Sequence, residues 1–174
     1  METLTERLQF YSGSRPIAAG HGTGEWTFTS EAYFELNRIE HWRRKLSNFW
    51  IAPFDWKGHR WNTVEHAFQA AKFMDTHMDI AYQFTLDSGS ALGRDGGLSA
   101  RKQRKVVVLT SEELELWDAK KSEIMKELWR AKFSQNSELL RVLKETGNAE
   151  LWHYAGRGGG VERWFGLEEL RKEL

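Results

Sequence analysis

Residues 63–73 read T-V-E-H-A-F-Q-A-A-K-F, and this stretch is the most informative part of the sequence for the fold. With a rotation of about 100° per residue, a helix would bring its apolar residues onto one face. These residues are Val64, Ala67, Phe68 and Ala71. Thr63 directly precedes the stripe, and a threonine hydroxyl in that position accepts a hydrogen bond from the first helical turn. We therefore predict a helix that begins after Thr63, ends near Asp75 and packs on a core.

The polar residues of the same stretch do not lie opposite the apolar stripe. Glu65, Gln69 and Lys72 are spaced i, i+4 and i+7, so they lie within about 60° of one another and directly beside it. Charged groups that border a core cost free energy unless they are paired, and they often mark functional sites. The pattern is also compatible with a Glu65–Lys72 ion pair at the edge of a solvated helix.

Upstream of this helix the pattern predicts short elements. Residues 45–61 have the features of two strands around a turn, with Gly58 at the turn and Pro53 restricting the first strand to a sheet edge. Further upstream we predict two strands, a loop and a helix. They are a strand at Phe10–Ser12, a glycine-rich loop at Gly20–Gly24, a strand at Glu25–Thr29 and a helix from Ser30 to Arg38.

Downstream of residue 75 helices dominate the prediction. Residues 79–105 combine glycine and serine clusters with short helical pieces, and Thr110 with Glu113 forms a capping box. The long amphipathic helix that follows has large apolar residues near one side, namely Leu114, Trp117, Ile124, Met125, Leu128 and Phe133. The remaining elements are a helix over 139–143 ended by Gly147, a strand at Leu151–Tyr154 and a helix at Leu167–Lys172. We predict a helix-rich α+β fold with a small sheet, forming one domain over residues 1–174.

Composition excludes several classes of protein. The 25 basic and 25 acidic residues cancel, so no global field attracts nucleic acid or membranes. The absence of cysteine excludes disulfides, thiol nucleophiles and zinc–thiolate sites. Neither a G-x-S-x-G nor an H-E-x-x-H motif occurs, so we predict no serine triad, no metal site and no cofactor. No apolar run approaches the ~20 residues that span a bilayer, and we expect a cytoplasmic protein without membrane contacts.

Four further features are candidates for ligand binding, each with an alternative. Asn48 interrupts an apolar stretch, and its amide either orients a ligand hydroxyl or makes a turn hydrogen bond. The Gly20–Gly24 loop lacks G-x-G-x-x-G spacing, so it is either a flexible loop or a phosphate cradle. The basic run Arg101–Lys105 either contacts phosphates or forms a solvated face. Trp117 either packs in the core or lines a pocket.

Several different short motifs follow one another along the chain in a recognisable order. They are Leu46-Ser-Asn-Phe49 followed by Pro53-Phe54, then Gly58 and Trp61, then Val64-Glu-His-Ala-Phe-Gln-Ala-Ala-Lys-Phe73. Phe10-Tyr-Ser12 precedes them, and Ala131-Lys-Phe-Ser-Gln-Asn136 and Thr146-Gly147 follow. Together these motifs resemble the NADAR family in its YbiA-like group, over residues 10 to about 153. The segment before Ser47, which includes the Gly20–Gly24 loop, is longer than in the shortest family members.

The resemblance implies a compact α+β domain that hydrolyses N-glycosidic bonds of ribosyl compounds. Known family substrates are ribosylaminopyrimidine intermediates of riboflavin synthesis and ADP-ribose attached to guanine, in nucleotides or nucleic acid. The family's functional positions correspond to Glu65, Asn48, Lys72 and Trp117. We predict Glu65 and Lys72 as catalytic residues. The predicted substrate-binding residues are Asn48, Phe49, Gln69, Trp117 and Trp164.

The predicted chemistry gives Glu65 one role and leaves Lys72 two. Cleavage of a ribose N-glycosidic bond develops positive charge at C1′ and the ring oxygen, and a nearby carboxylate stabilises it. Lys72 either pairs with Glu65 as an ammonium and holds a phosphate or leaving group, or attacks C1′ as a neutral amine and forms a Schiff base.

The C-terminal tail departs from the family pattern and leaves other functions open. Family members often have an aspartate followed closely by Trp-Gly, whereas no aspartate follows Asp118 here. Trp164 or Trp152 is the candidate for the aromatic role, and Glu162 for the acidic one. A non-catalytic module that binds ADP-ribose or a nucleotide, and a purely structural helical domain, are the competing classes. We favour ADP-ribosylated guanine over the riboflavin intermediates, because the glycine-rich loop and the basic run could contact a pyrophosphate.

Overall fold

The computed structural model describes residues 1–174 and has the predicted α+β character, with many helices and few strands. The helices in chain order are α1 Phe34–Arg38, α2 Trp42–Leu46, α3 Val64–Phe73, α4 Met78–Tyr82, α5 Ala91–Arg94, α6 Gly97–Lys102, α7 Ser111–Gln135, α8 Ser137–Glu145 and α9 Phe165–Glu173. The strands are β1 Arg7–Phe10, β2 Phe54–Trp56, β3 His59–Trp61, β4 Glu150–Tyr154 and β5 Val161–Arg163. A 3-10 turn, Glu31–Tyr33, precedes α1.

The chain divides into two compact units. The first unit comprises Met1–Ser47 with Ser137–Leu174, and the second comprises Asn48–Asn136. The first unit holds a three-stranded sheet in the order β1-β4-β5, in which β1 is parallel to β4 and β4 is antiparallel to β5. Leu8 lies opposite Leu151 in this sheet, and both are fully buried, so the core of the unit lies against the β1–β4 pair.

Three predictions for the N-terminal region are wrong in their boundaries. The first strand ends at Phe10, because the chain turns where Tyr11 N donates to Ser14 Oγ at 2.9 Å. The predicted strand at 25–29 is reduced to one isolated bridge between Trp26 and Arg7. The helix predicted from Ser30 begins as the 3-10 turn, and the Ser30 side chain makes no capping hydrogen bond.

The Gly20–Gly24 loop is organised around the side chain of Glu25. Gly20 N and Gly22 N donate to Glu25 Oε1 at 3.2 and 3.0 Å, and Gln9 N donates to Oε2 at 2.9 Å. Arg43 pairs with the same carboxylate at 2.6 Å, and the Glu25 and Arg43 side chains are 0% and 5% exposed. The carboxylate draws residue 25 inward, which explains the missing strand. The loop amides that a phosphate cradle would use therefore bind the protein's own carboxylate.

The segment that the sequence predicted as two strands, residues 45–61, contains a helical end and a hairpin. Lys45 and Leu46 belong to α2, where Leu46 is fully buried and Lys45 pairs with Glu138 at 2.5 Å. The hairpin in the second unit is β2–β3. Its two central residues, Lys57 and Gly58, have φ of 49° and 77°, as a two-residue turn matched to strand twist requires.

Helix α3 begins where the sequence predicts. Thr63 accepts a hydrogen bond from His66 N at 3.2 Å, and α3 ends at Phe73. It packs against α4, α6 and α7 of the second unit. The capping box of Thr110 and Glu113 is also present at the start of α7.

The C-terminal elements lie close to their predicted positions, with one addition. Helix α8 is followed by Gly147 at a φ of 62°, and β4 and α9 overlap the predicted strand and helix. Strand β5 was not predicted, because its three residues follow a glycine run and only pairing with β4 defines them. The structure contains no helix with the length and apolar character needed to span a membrane.

Candidate functional site

Helix α3 places the predicted catalytic carboxylate inside the second unit. The side chains of Glu65 and Gln69 are each 8% exposed, and Gln69 Nε2 donates to Glu65 Oε1 at 2.8 Å. Burial raises the pKa of Glu65, while the Gln69 hydrogen bond and the positive charges of Arg101 and Arg104 act in the opposite direction. The carboxylate therefore has one hydrogen-bond donor and no ion pair.

Lys72 lies two turns further along α3 and is half-buried. Its Nζ donates to the carbonyl oxygen of Arg104 at 3.2 Å, so the Glu65–Lys72 ion pair that the spacing allowed does not form. Partial burial lowers the pKa of Lys72, and the charges of Lys105 and Arg104 lower it further, against the opposing effect of Asp118. Lys72 therefore lies among cations that favour its neutral form.

The basic run Arg101–Lys105 lies at the end of α6 and just beyond it, and its side chains are exposed. Arg101 and Arg104 act electrostatically on Glu65, and Arg104 and Lys105 act on Lys72. The sequence left this run as either a solvated face or a phosphate contact. Contacts between α6 and α3, which no local pattern encodes, bring these cations near the α3 site.

Asn48 anchors the start of α3. Its backbone carbonyl accepts from Glu65 N at 3.1 Å, and its side-chain oxygen accepts from Trp129 Nε1 at 2.8 Å. Its Nδ2 faces the sulfur of Met125 at 3.6 Å, and a thioether is a weak acceptor. The side-chain oxygen of Asn48 is therefore engaged within the protein. Nδ2 makes only a weak contact with sulfur and can give it up for a hydrogen bond to a ligand oxygen.

Phe49 fixes the start of α6 beside the same motif. A Cβ atom at Gly97 would lie 2.7 Å from Phe49 Cα and 2.8 Å from Phe49 Cγ. Only glycine at position 97 permits this approach. The Ser-Asn-Phe motif thus contacts both α3 and the helix that carries Arg101.

Trp117 of α7 packs against α3. Its ring and that of Phe68 have centroids 5.0 Å apart at an interplanar angle of 56°, and Trp117 is 7% exposed. Core packing, which the sequence left as one alternative, is thus one role of this indole. Phe68 directly precedes Gln69, so the aromatic pair lies beside the Glu65–Gln69 hydrogen bond.

His66 is a positioning residue that the sequence did not single out by itself. It is fully buried, and its Nε2 lies 2.8 Å from the carbonyl oxygen of Leu92. Since a carbonyl only accepts, Nε2 carries the hydrogen, and Nδ1 accepts from the Thr63 hydroxyl at 2.7 Å. Burial lowers the pKa of His66. The neutral ring joins the start of α3 to α5, and its place next to Glu65 in the motif was the available signal.

Trp164 belongs to the first unit. It stacks on His153 with centroids 4.4 Å apart and meets Phe10 edge-on at 5.1 Å, and it is 8% exposed. The other tail candidates, Trp152 and Glu162, lie on β4 and β5 of the same unit. The role of Trp164 in substrate binding stays a prediction. No group of three or more His, Asp or Glu side chains is arranged to hold a metal ion.

Helix α3 thus carries a buried glutamate held by a glutamine within an E-H-x-x-Q-x-x-K-F motif, next to an S-N-F motif. The NADAR domain profile matches residues 30–158, and the chain belongs to the NADAR family. The solved NMR structure of the E. coli protein YbiA is similar, at 26% identity and a TM-score of 0.56, over 75% of this chain and 77% of that chain. No curated protein shows significant sequence similarity to the chain.

Proposed function

We propose that this protein hydrolyses the N-glycosidic bond of a ribosyl nucleotide and that its substrate is ADP-ribose attached to guanine. Membership of the NADAR family supports glycosidase-type chemistry in general. The observation that carries the proposal is the buried Glu65 carboxylate, which is held by Gln69 and has no ion pair. Buried charges are retained at functional sites because a low-dielectric surrounding strengthens their effect on developing charge.

In the proposed reaction the C1′–N bond breaks and its electron pair goes to the guanine nitrogen, which takes up a proton. Positive charge develops at C1′ and the ribose ring oxygen, and the Glu65 carboxylate stabilises it. Gln69 holds Oε1, so Oε2 is the oxygen that faces the sugar. Water finally attacks C1′, leaving a hydroxyl group there and releasing a proton that balances the one taken up by the guanine nitrogen. In this scheme Asn48 Nδ2 binds a ribose hydroxyl, and Phe49 and Trp117 form apolar contacts with the base.

Lys72 takes one of two roles in this scheme. As an ammonium, it binds a substrate phosphate together with Arg104 and Lys105. As a neutral amine, it attacks C1′, the C1′–N bond to the base breaks, and the sugar ring opens to give a Schiff base, which water hydrolyses to the free sugar and the Lys72 amine. The lowered pKa supports the second role, and the half-exposed position beside two cations supports the first.

The preference for an ADP-ribosyl substrate now depends on the basic run alone. Arg101, Arg104 and Lys105 present exposed cations near the α3 residues, and they suit the two linked phosphates of ADP-ribose. The Gly20–Gly24 loop no longer supports this preference, since Glu25 occupies its amides. The ribosylaminopyrimidine of riboflavin synthesis is the second candidate, because the same carboxylate serves its glycosidic bond.

The test is a turnover assay with ADP-ribosylated guanosine and, in parallel, the riboflavin aminopyrimidine. Wild type is compared with Glu65→Gln and with Glu115→Gln, a matched change at an exposed glutamate of α7. We expect release of ADP-ribose that falls at least about 100-fold in Glu65→Gln and is unchanged in Glu115→Gln. Release of the sugar from the pyrimidine compound alone would identify the second candidate as the substrate. Tight binding without product from either substrate would identify a non-catalytic ribosyl-nucleotide module and contradict the proposal.

A further inference from the structure

The first unit contains a cavity that the N-glycosidase scheme does not use. Its volume is about 400 Å³, and it lies between residues 14–18 and residues 37–44. Cavities of a few hundred cubic ångströms hold small organic ligands. The 14–18 wall precedes the residues that match the NADAR profile, which begin at residue 30. The 37–44 wall lies within the matched residues.

The charges around the cavity are mainly positive. Arg15, Arg38, Arg43 and Arg44 line it, against one acidic residue, Glu40. Arg43 is neutralised by the buried Glu25, and it also donates to the carbonyl oxygens of Ile17 and Ala18. The other three arginines have no buried counter-ion. Arg38 has only the exposed Glu35 at 3.5 Å, and Arg15 and Arg44 form no ion pair.

Arg44 is held in a position from which it can bind an anion. It is half-buried, and its Nε donates to the carbonyl oxygen of Ser14 at 2.8 Å. This bond fixes the plane of the guanidinium group and leaves its two terminal nitrogens without a protein acceptor. A planar fork of N–H donors matches the oxygens of a phosphate, and prior ordering of the side chain reduces the entropy lost on binding.

Apolar residues complete the lining and indicate the rest of the ligand. Pro16, Ile17, Ile39 and Trp42 contribute to the walls, so the cavity suits a ligand with an apolar body as well as an anionic group. An excess of unneutralised arginines matches a phosphate dianion better than a single carboxylate. A cavity of about 400 Å³ also suits a small molecule better than a nucleic-acid strand, which needs an extended groove.

We propose that this cavity is a second ligand site, which binds a small organic phosphate with its phosphate on Arg15 and Arg44 and its body against the Ile39–Trp42 side. Its lining residues belong to the first unit, and the proposal does not depend on the Glu65 chemistry. It gives the first unit a binding function of its own.

The proposal is tested by NMR on the 15N-labelled full chain, through the indole N–H signals of the tryptophans. The Trp42 signal, assigned with a Trp42→Phe variant, reports on the cavity, and the Trp117 signal reports on the α3 site. The probes are adenosine 5′-monophosphate, adenosine, inorganic phosphate and a ten-residue oligothymidylate. The variants are Arg15→Gln, which removes an exposed side chain without an ion pair, and Arg157→Gln, the same change at an exposed arginine outside the cavity lining.

We expect adenosine 5′-monophosphate to shift the Trp42 signal in a saturable manner, and adenosine to leave it unchanged at the same concentration. Arg15→Gln should weaken this binding about tenfold, as expected for loss of one charged hydrogen bond, and Arg157→Gln should not. A Trp42 signal that no probe moves, or equal binding by Arg15→Gln and wild type, would overturn the proposal.

If inorganic phosphate binds as tightly as the nucleotide, the apolar wall does not contribute to binding and that part of the proposal is wrong. Tighter binding of the oligothymidylate would replace the small ligand with a nucleic-acid strand. Because Trp117 is followed separately, failure at the α3 site would not affect the result for this cavity.

Discussion

Gln69 and Glu65 lie one turn apart on α3 and are joined by a hydrogen bond of 2.8 Å, with both side chains 8% exposed. The i, i+4 spacing makes this contact possible, and burial shields it from competing water. The amide holds the carboxylate in one orientation without neutralising it, as an ion pair would. Glu65 therefore remains able to act on charge that develops in a substrate.

Glu65→Gln should make the protein more stable at neutral pH. Burial raises the pKa of Glu65 in the folded state, so the folded protein binds a proton more readily than the unfolded chain. Stability is consequently greatest below the unfolded pKa and falls as the pH rises through the folded pKa. A neutral glutamine avoids this loss and can still accept from Gln69. Thermal unfolding of both proteins between pH 4 and pH 8 measures the effect. A melting temperature of Glu65→Gln below that of wild type at neutral pH would contradict the burial argument.

Gln69→Met should shift the acidic limb of the pH–activity profile to higher pH. The Gln69 hydrogen bond favours the ionised carboxylate, so removing it raises the pKa of Glu65 further. Methionine has a similar length and removes only the polar head. The profile of kcat/KM measures the shift, and activity at the alkaline end should change less than activity at the acidic end. An equal loss at every pH would indicate a structural role for Gln69.

Lys72→Gln should lower kcat/KM at least about 100-fold, whichever role Lys72 takes. Lys72→Arg separates the two roles, since it keeps the charge and removes the amine nucleophile. Activity within about tenfold of wild type in Lys72→Arg supports the ammonium role. Activity as low as in Lys72→Gln, with a borohydride-trapped sugar adduct seen by mass spectrometry only in wild type, supports the Schiff base. Full activity of Lys72→Gln would remove this residue from the mechanism.

Trp117→Phe should raise KM more than it lowers kcat. The smaller ring keeps an aromatic contact with Phe68 but loses area for stacking on a flat base, which corresponds to about a three- to tenfold increase in KM. Steady-state kinetics measure the two constants separately. Trp26→Phe, at an exposed indole of the first unit, is the control and should alter neither constant. A lower melting temperature with unchanged KM would restrict Trp117 to core packing.

Glu25→Gln should destabilise the fold without altering the chemistry. Removing one partner of the buried Glu25–Arg43 pair leaves an uncompensated charge, at a cost of about 3–5 kcal/mol. Denaturant unfolding measures this loss, and Glu31→Gln, at an exposed position, should show almost none. We expect kcat/KM per folded molecule to stay close to wild type. A loss of activity larger than the loss of folded protein would indicate that the Gly20–Gly24 loop takes part in substrate binding.

Local sequence rules predicted the elements that carry the candidate site. Thr63 caps α3, the Thr110–Glu113 box starts α7, and Gly58 forms the hairpin turn, as their spacing indicates. Each feature depends on hydrogen bonds or dihedral angles within about four residues. The same rules place Glu65, Gln69 and Lys72 beside one another on α3. They failed at Glu25–Thr29, where a buried carboxylate with partners 16 and 18 residues away opposes a strand.

By itself, the sequence determined the α3 motif, its facing residues and the α+β class, because backbone periodicity and capping are local properties. Only the tertiary structure decided which partner each polar group takes. It paired Glu65 with Gln69 while turning Lys72 to the Arg104 carbonyl, and it brought Arg101 near enough to affect the pKa of Glu65. It also made the Glu25 carboxylate the acceptor for the backbone amides of Gly20 and Gly22 in the Gly20–Gly24 loop. These pairings depend on packing between segments far apart in the chain. Burial there strengthens electrostatic interactions and makes an unpaired polar group costly, and no local pattern records which segments meet.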